Sequence, residues 1–228
     1  MTQLSLASAI NATRSELLVQ IADTPDLILE AYKLRHQVYC LERGYEQSFD
    51  EMEKDEYDCQ SHHVVLCKRG SGEVIGTARL ILPIASKRHT SFPMQQVCPP
   101  NTFRGLPFNG MAEVSRFSIS KERRDLSVAA TSLSRLALVQ GLVQLSQEIG
   151  VTHWCAMMER SLLRLLRASA IHFTPLGEPV EYHGLRQPAY CQVSTMLDRM
   201  AYEQPEIWRF IAADAEVIPA QSRQMQAA

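Results

Sequence analysis

Much of what a catalytic sequence commonly advertises is missing from this chain. None of its 6 cysteines forms a C-x-x-C pair. Cys40, Cys59, Cys67, Cys98, Cys155 and Cys191 are scattered through apolar or mixed stretches, the distribution expected of reduced thiols in a cytoplasmic protein. Cys59-Gln60-Ser61-His62-His63 lacks a second ligand pair at zinc spacing, so no metal is expected. Neither a P-loop nor a G-x-G-x-x-G occurs, which argues against a nucleotide held by a Gly-rich loop. Without a G-x-S-x-G elbow Ser115 has no standing as a nucleophile, and no local context marks Cys98 or Cys155 as one. A formal net charge of -2 gives no general affinity for nucleic acid or for membranes. Residues 1–25 lack an apolar leader core, and no run approaches the roughly 18 consecutive apolar residues of a membrane span. No internal repeat is present.

What remains is a chain of 228 residues, suited to one domain over 1–215 with a frayed Ala/Gln-rich tail over 216–228. Leu27, Ala31, Leu34, Val38 and Leu41 recur at helical spacing and predict a helix over 26–42, ended by Gly44. A polar loop follows to Asp58. His63–Lys68 and Glu73–Leu82 read as strands joined by Arg69-Gly70-Ser71-Gly72, a hairpin signal. Residues 84–110 are aperiodic and carry four prolines. A segment of this kind is either a lid or binding loop, or a wrapped surface loop without a role. Met111–Ser120 predicts a strand and Ser127–Ile149 a largely buried helix. Strand 151–158, helix 160–170 and short strands at 171–174 and 189–195 complete the pattern. The expected fold class is α/β (α+β), a three-layer sandwich on a mixed central sheet.

Charges interrupt the apolar pattern in several places, and buried charge is costly unless paired. Arg35 lies inside the first helix, four residues from Tyr39, so both share one face. Residues 46–58 are strongly acidic. Arg79 sits mid-strand among Ile75, Ala78, Leu80 and Ile81. It is either an edge position facing solvent or the partner of Glu113 or of an Asp in the acidic loop. Glu113 and Arg116 are three apart in a strand and should point to opposite faces, unless a bulge intervenes. Such a bulge would also free backbone N–H groups able to polarise a carbonyl.

These residues resemble a known family. Arg35-x-x-Val38-Tyr39, Gly44-Tyr45, Asp55-x-x-Asp58, Gly76-x-x-Arg79-Leu80 and Glu113-x-Ser115-Arg116-Phe117 follow, in order and spacing, the pattern of the acyl-homoserine lactone synthases. Those enzymes share the Gcn5-related N-acetyltransferase fold and take acyl groups from acyl carrier protein. The chain is closer still to the N-acyl amino acid synthases and to the acyltransferases associated with PEP-CTERM/exosortase systems, through Arg35 to Tyr45 and Tyr182-His183-Gly184-x-Arg186-Gln187-Pro188. It departs from the lactone synthases where an aromatic Phe and Trp pair is replaced by Tyr39 and Tyr45, and where a Trp is replaced by Ala112. Those changes count against S-adenosylmethionine and lactone formation but leave amide-forming acyl transfer intact. The Gly-rich pyrophosphate loop of the wider fold is also absent from Arg123 to Ala129, where each Cβ blocks close backbone approach.

The resemblance therefore implies transfer of a long-chain acyl group from an acyl carrier protein thioester to the amine of an amino acid or related metabolite, with no cofactor beyond the thioester co-substrate. Lactone synthesis and a catalytically dead acyl-binding domain are the alternatives. Glu113 is the expected base, with Asp55 second and Arg79 beside them. Arg79 and Arg116 should order the acidic loop and the acceptor carboxylate. Arg35, Tyr39, Tyr45, Asp58, Phe92, Ser115, Arg116 and Phe117 are expected to line the substrate, and Lys121, Arg123 and Arg124 to meet the acidic carrier protein.

Overall fold

A computed structural model describes residues 5–123 and 125–213. Arg124 and the tail expected from residue 216 lie outside them. Helix α1 (Leu6–Glu16), capped by Ser5, runs without a break into strand β1 (Leu17–Ala22). Helix α2 (Pro25–Arg35) starts at an N-cap Thr24 with Pro25 in its first turn. It widens at His36 into a π-helical turn, His36–Glu42. The helix expected over 26–42 is thus present but changes pitch midway, as helices often do at functional sites.

Strands β2 (Ser61–Lys68) and β3 (Val74–Ile81) form the expected hairpin. Residues 84–110 wrap the sheet and contain the short helix α3 (Pro93–Val97). Phe92, Met94 and Phe108 pin this segment to Ile81 and Met111 as a small apolar cluster, so it is an anchored cover. Strand β4 (Met111–Ile119), helix α4 (Val128–Ile149), strand β5 (His153–Met158) and helix α5 (Arg160–Ala168) follow. The short strands β6 (Thr174–Pro175) and β7 (Val180–Glu181) precede β8 (Leu185–Gln192). The strand expected over 189–195 stops at Gln192. Val193, Met196 and Met200, buried at helical spacing, instead begin helix α6 (Val193–Glu203), followed by α7 (Pro205–Trp208).

The eight strands form one sheet in the order β1-β2-β3-β4-β5-β8-β6, with β7 paired to β8. Among the described strands only β4 and β5 run parallel, so the sheet is mixed. Helices cover both faces. Alternation on β2 shows the two layers: Val64 and Leu66 join the main core with α4, whereas Val65 and Cys67 pack under α2. Helix α4 is, by length and hydropathy, apolar enough to cross a membrane, although it holds no unbroken apolar run of that length; 72% of its most apolar window is buried inside this fold. It lies so close to the sheet at Gly141 that a Cβ there would collide with Val19 and Val64.

Candidate active site

The site begins with a bulge in β4. Thr77 pairs with Ser118 and Arg79 with Ser115, so two steps along β3 span three along β4. Arg116 takes up the extra residue with φ 50°. This shifts the alternation and brings Arg116 to the same cavity as Glu113. Arg116 and Phe117 have no Cα partner in the strand register.

The second element is a split in the sheet. β4 and β5 pair only at Met111↔His153, Ala112↔Trp154 and Glu113↔Cys155. Beyond these pairs a cavity of about 130 Å³ lies between Val114–Phe117 and Ala156–Met158. Its inner wall is apolar: Val139 and Leu142 of α4, Trp154 and Met158 of β5, Leu162 and Leu166 of α5, and Phe173. Trp154 is held in place by an Nε1–H that donates to Ser146 Oγ at 2.9 Å. The outer wall is aromatic and charged, formed by Tyr39, Tyr45, Glu113, Arg116, Tyr182, His183 and Arg186.

Behind this wall is a dense ion network. Arg79 is fully buried; it donates from Nε to Ser115, from Nη1 and Nη2 to Asp55 at 2.7 and 2.6 Å, and from Nη1 to Asp58. Arg35, also fully buried, forks onto Asp58 and donates from Nε to Glu53. Arg116 donates to Glu53 as well and lies 3.5 Å from Glu46 and 3.2 Å from Asp55. Burial pushes the Glu53 carboxyl up, but hydrogen bonds from Arg116 and Arg35 outweigh it and hold it at about 2. Asp58 is held at about 2 in the same way, against burial, by Arg35 and Arg79. His63 lies beside them with both ring nitrogens unpartnered; burial, and then the charge of Arg35, lower it to about 4, so it is neutral.

Glu113 differs from its neighbours. It is 3% exposed and accepts a hydrogen bond from Met94 N–H at 3.0 Å. Burial dominates over that bond and over the more distant Arg79 and Arg116, and raises its carboxyl to about 8. It is therefore a buried carboxyl that exchanges a proton just above neutral pH, at the edge of an apolar cavity.

The structure rearranges several sequence-derived expectations. Arg79 pairs with the acidic loop, one of the two alternatives, and not with Glu113. Being fully buried with its donors committed, it does not reach an acceptor carboxylate. Arg35 and Asp58 are likewise buried in the network and do not line the cavity, since Asp58 is consumed by two arginines. Both Asp55 oxygens are held by Arg79, which leaves that carboxylate poorly placed to take a proton. Phe92 is fully buried beneath the cover segment, away from the cavity. Tyr39, Tyr45, Ser115, Arg116 and Phe117 do line it. Of the basic residues expected to meet a carrier protein, Lys121 is exposed, while Arg123 donates from Nη1 to the Val74 carbonyl at 3.1 Å. Glu46 and Glu53 were legible only as part of an acidic run. Arg43, Glu159 and Arg135 line an adjoining groove with Arg186, and no sequence pattern pointed to them.

Residues 34–134 match the acetyltransferase (GNAT) domain. With the sheet and its split, the fold of the chain is GNAT-like. The fold is that of the CoA-dependent acyl-homoserine lactone synthase BjaI, solved with SAM and isopentyl-CoA: TM-score 0.62 at 22% identity, covering 81% of this chain and 90% of that one. The AHL synthase LasI aligns with TM-score 0.60 at 22% identity over 77% and 89% of the two chains. FeeM, an N-acyl amino acid synthase from uncultured soil microbes, aligns with TM-score 0.58 at 14% identity over 80% and 93%. No curated protein matches the sequence.

Proposed function

We infer that the protein transfers an acyl group from a carrier thioester to a primary amine. The observation that carries this reading is the junction of the two walls. An apolar cavity suited to an acyl chain ends at a strand bulge, where Arg116 and Phe117 have no register partner, beside a carboxyl that titrates near 8. The amine nitrogen attacks the thioester carbonyl and the bulge amides hold the developing oxyanion. The C–S bond breaks, and Glu113 accepts a proton from the nitrogen. Arg79, Asp55 and Asp58 keep the bulge and the loop in register through Ser115.

The donor in this reading is acyl carrier protein. The start of α4, where the wider fold cradles a pyrophosphate, is already occupied: Ser127 N–H donates to Glu16 at 2.9 Å, and Ser127 Oγ accepts from Ala130 N–H. A carboxylate there disfavours a second anion. The acceptor is an amino acid or a related amine, and the six free thiols fit a reducing, cytoplasmic setting. BjaI is CoA-dependent and was solved with SAM, so coenzyme A and S-adenosylmethionine are the competing donor and acceptor. The test is amine-dependent thiol release with one acyl chain on carrier protein and on coenzyme A, run with amino acids and with S-adenosylmethionine. Higher kcat/KM with the carrier protein and an N-acyl amino acid product are expected. Methylthioadenosine release would replace this reading with lactone synthesis, and no amine-dependent release would leave only acyl binding.

A further inference from the structure

A primary ammonium loses two protons on its way to an amide, one before it attacks and one after. Glu113 is buried and carries one of these transfers at most per passage without contact with water. The outer wall of the cavity holds a second titratable group, His183, at the tip of the β7–β8 hairpin. Its backbone is in the left-handed region at φ 50°, a conformation a non-glycine residue keeps only when its surroundings impose it. Here they do. Arg186 donates from Nη2 to the His183 carbonyl at 2.9 Å and from Nε to the Tyr182 carbonyl, while Nη1 is tied to Glu159. Gly184 N–H donates to Glu181.

The imidazole has two aromatic neighbours and a carboxylate near one nitrogen. Tyr45 stacks on it with centroids 5.2 Å apart, and Tyr182 meets it edge-on. Nε2 lies 3.3 Å from Glu46 Oε1, and Glu46 in turn lies 3.5 Å from Arg116 in the bulge. His183 is 29% exposed and Glu46 32%, so the pair touches both cavity and solvent. A carboxylate that orients an imidazole at one nitrogen leaves the other free to accept a proton and stabilises the imidazolium formed.

We propose that His183, oriented by Glu46 and stacked on Tyr45, takes the first proton from the incoming ammonium at the cavity mouth and releases it to solvent. The neutral amine then attacks. The second proton leaves the nitrogen of the tetrahedral adduct through Glu113 and ends on the departing thiolate as the C–S bond breaks. One ammonium and one thioester thus give one amide, one thiol and one proton in water. The proposal rests on the acyl-transfer reading above.

The charged and titratable groups around His183 are Glu46, Tyr45, Tyr182, Arg186 and, through Glu46, Arg116; Arg43 lies over Tyr45. The test compares two acceptors, an alkylamine that is an ammonium at pH 7 and a weakly basic amine that is already neutral there. His183→Asn suits the left-handed backbone and removes the base. Its kcat/KM should fall about a hundredfold with the ammonium acceptor and recover as pH rises towards that amine's own pKa. With the neutral amine the loss should be about tenfold smaller than with the ammonium, and an unchanged melting temperature shows that the variant is folded. Glu46→Gln should lower kcat/KM more with the ammonium acceptor than with the neutral amine, because the imidazole loses the carboxylate that lies 3.3 Å from Nε2. Equal losses on both acceptors in either variant would overturn the role of His183 while leaving acyl transfer standing. Absence of thiol release from the wild type with either amine would overturn both.

Discussion

Glu113→Gln separates the chemistry of the site from its folding. The carboxyl is 3% exposed, and burial raises it from 4.5 to about 8. A group whose proton is held more tightly in the fold than in the unfolded chain stabilises the fold fully below the unfolded value. That contribution is lost as pH rises through the folded one. For Glu113 the window runs from about 4.5 to about 8, and the shift corresponds to roughly 4–5 kcal/mol across it. Glutamine keeps the shape and an acceptor for the Met94 N–H but cannot ionise. Urea unfolding of both proteins at pH 5, 6, 7, 8 and 9 reads the difference. The variant should gain on the wild type steadily with pH, by about 4 kcal/mol in total. Its turnover should fall by about 10²–10⁴, and the wild-type rise in rate through pH 8 should vanish with it. Parallel stability profiles would show that Glu113 is ionised and solvated at neutral pH. Near-normal turnover would remove it from the reaction.

Two further outcomes follow from the packing. Arg79→Met strands Asp55 and Asp58 without their shared partner, so the melting temperature and activity should drop together, with a stability loss of about 3–5 kcal/mol; unchanged melting would contradict the buried pairing. Gly141→Ala adds a methyl where α4 touches Val19 and Val64. It should destabilise by about 1–3 kcal/mol despite the better helix propensity of alanine, and a stabilised variant in thermal unfolding would mean that helix and sheet are further apart.

The parts of this molecule that were legible in sequence were those written in local spacing. The three-residue step from Glu113 to Arg116 posed the question of a bulge, and the left-handed Arg116 answers it. Arg79 inside an apolar run posed a choice between a solvent-facing edge and an acidic partner, and the acidic loop supplies two such partners. The elements that escaped notice lacked such marks. α1 passes into β1 between Glu16 and Leu17 with no glycine or proline at the junction, so neither stood out. β8 turns into α6 at Gln192 with no breaker, and an apolar run there reads equally as strand. The pairing of His183 with Glu46, and of Arg43 with Glu159, joins segments more than a hundred residues apart. Only the path of the chain brings them together.

The split between β4 and β5 has a thermodynamic consequence. Trp154, Leu142 and Leu166, which line the cavity, also belong to the main core. A cavity of about 130 Å³ bounded by them is a place where the core is left unfinished. An acyl chain that enters it is then less a guest than the missing side chain. Its methylenes make the dispersion contacts the empty walls lack, and each adds roughly 0.8 kcal/mol of transfer free energy. The protein should stiffen and melt higher with each carbon that fits, and stop gaining at the first that does not. Chain-length preference would then be set by the packing of the fold itself, and a mutation that reshapes the acyl preference would shift the stability of the whole molecule with it.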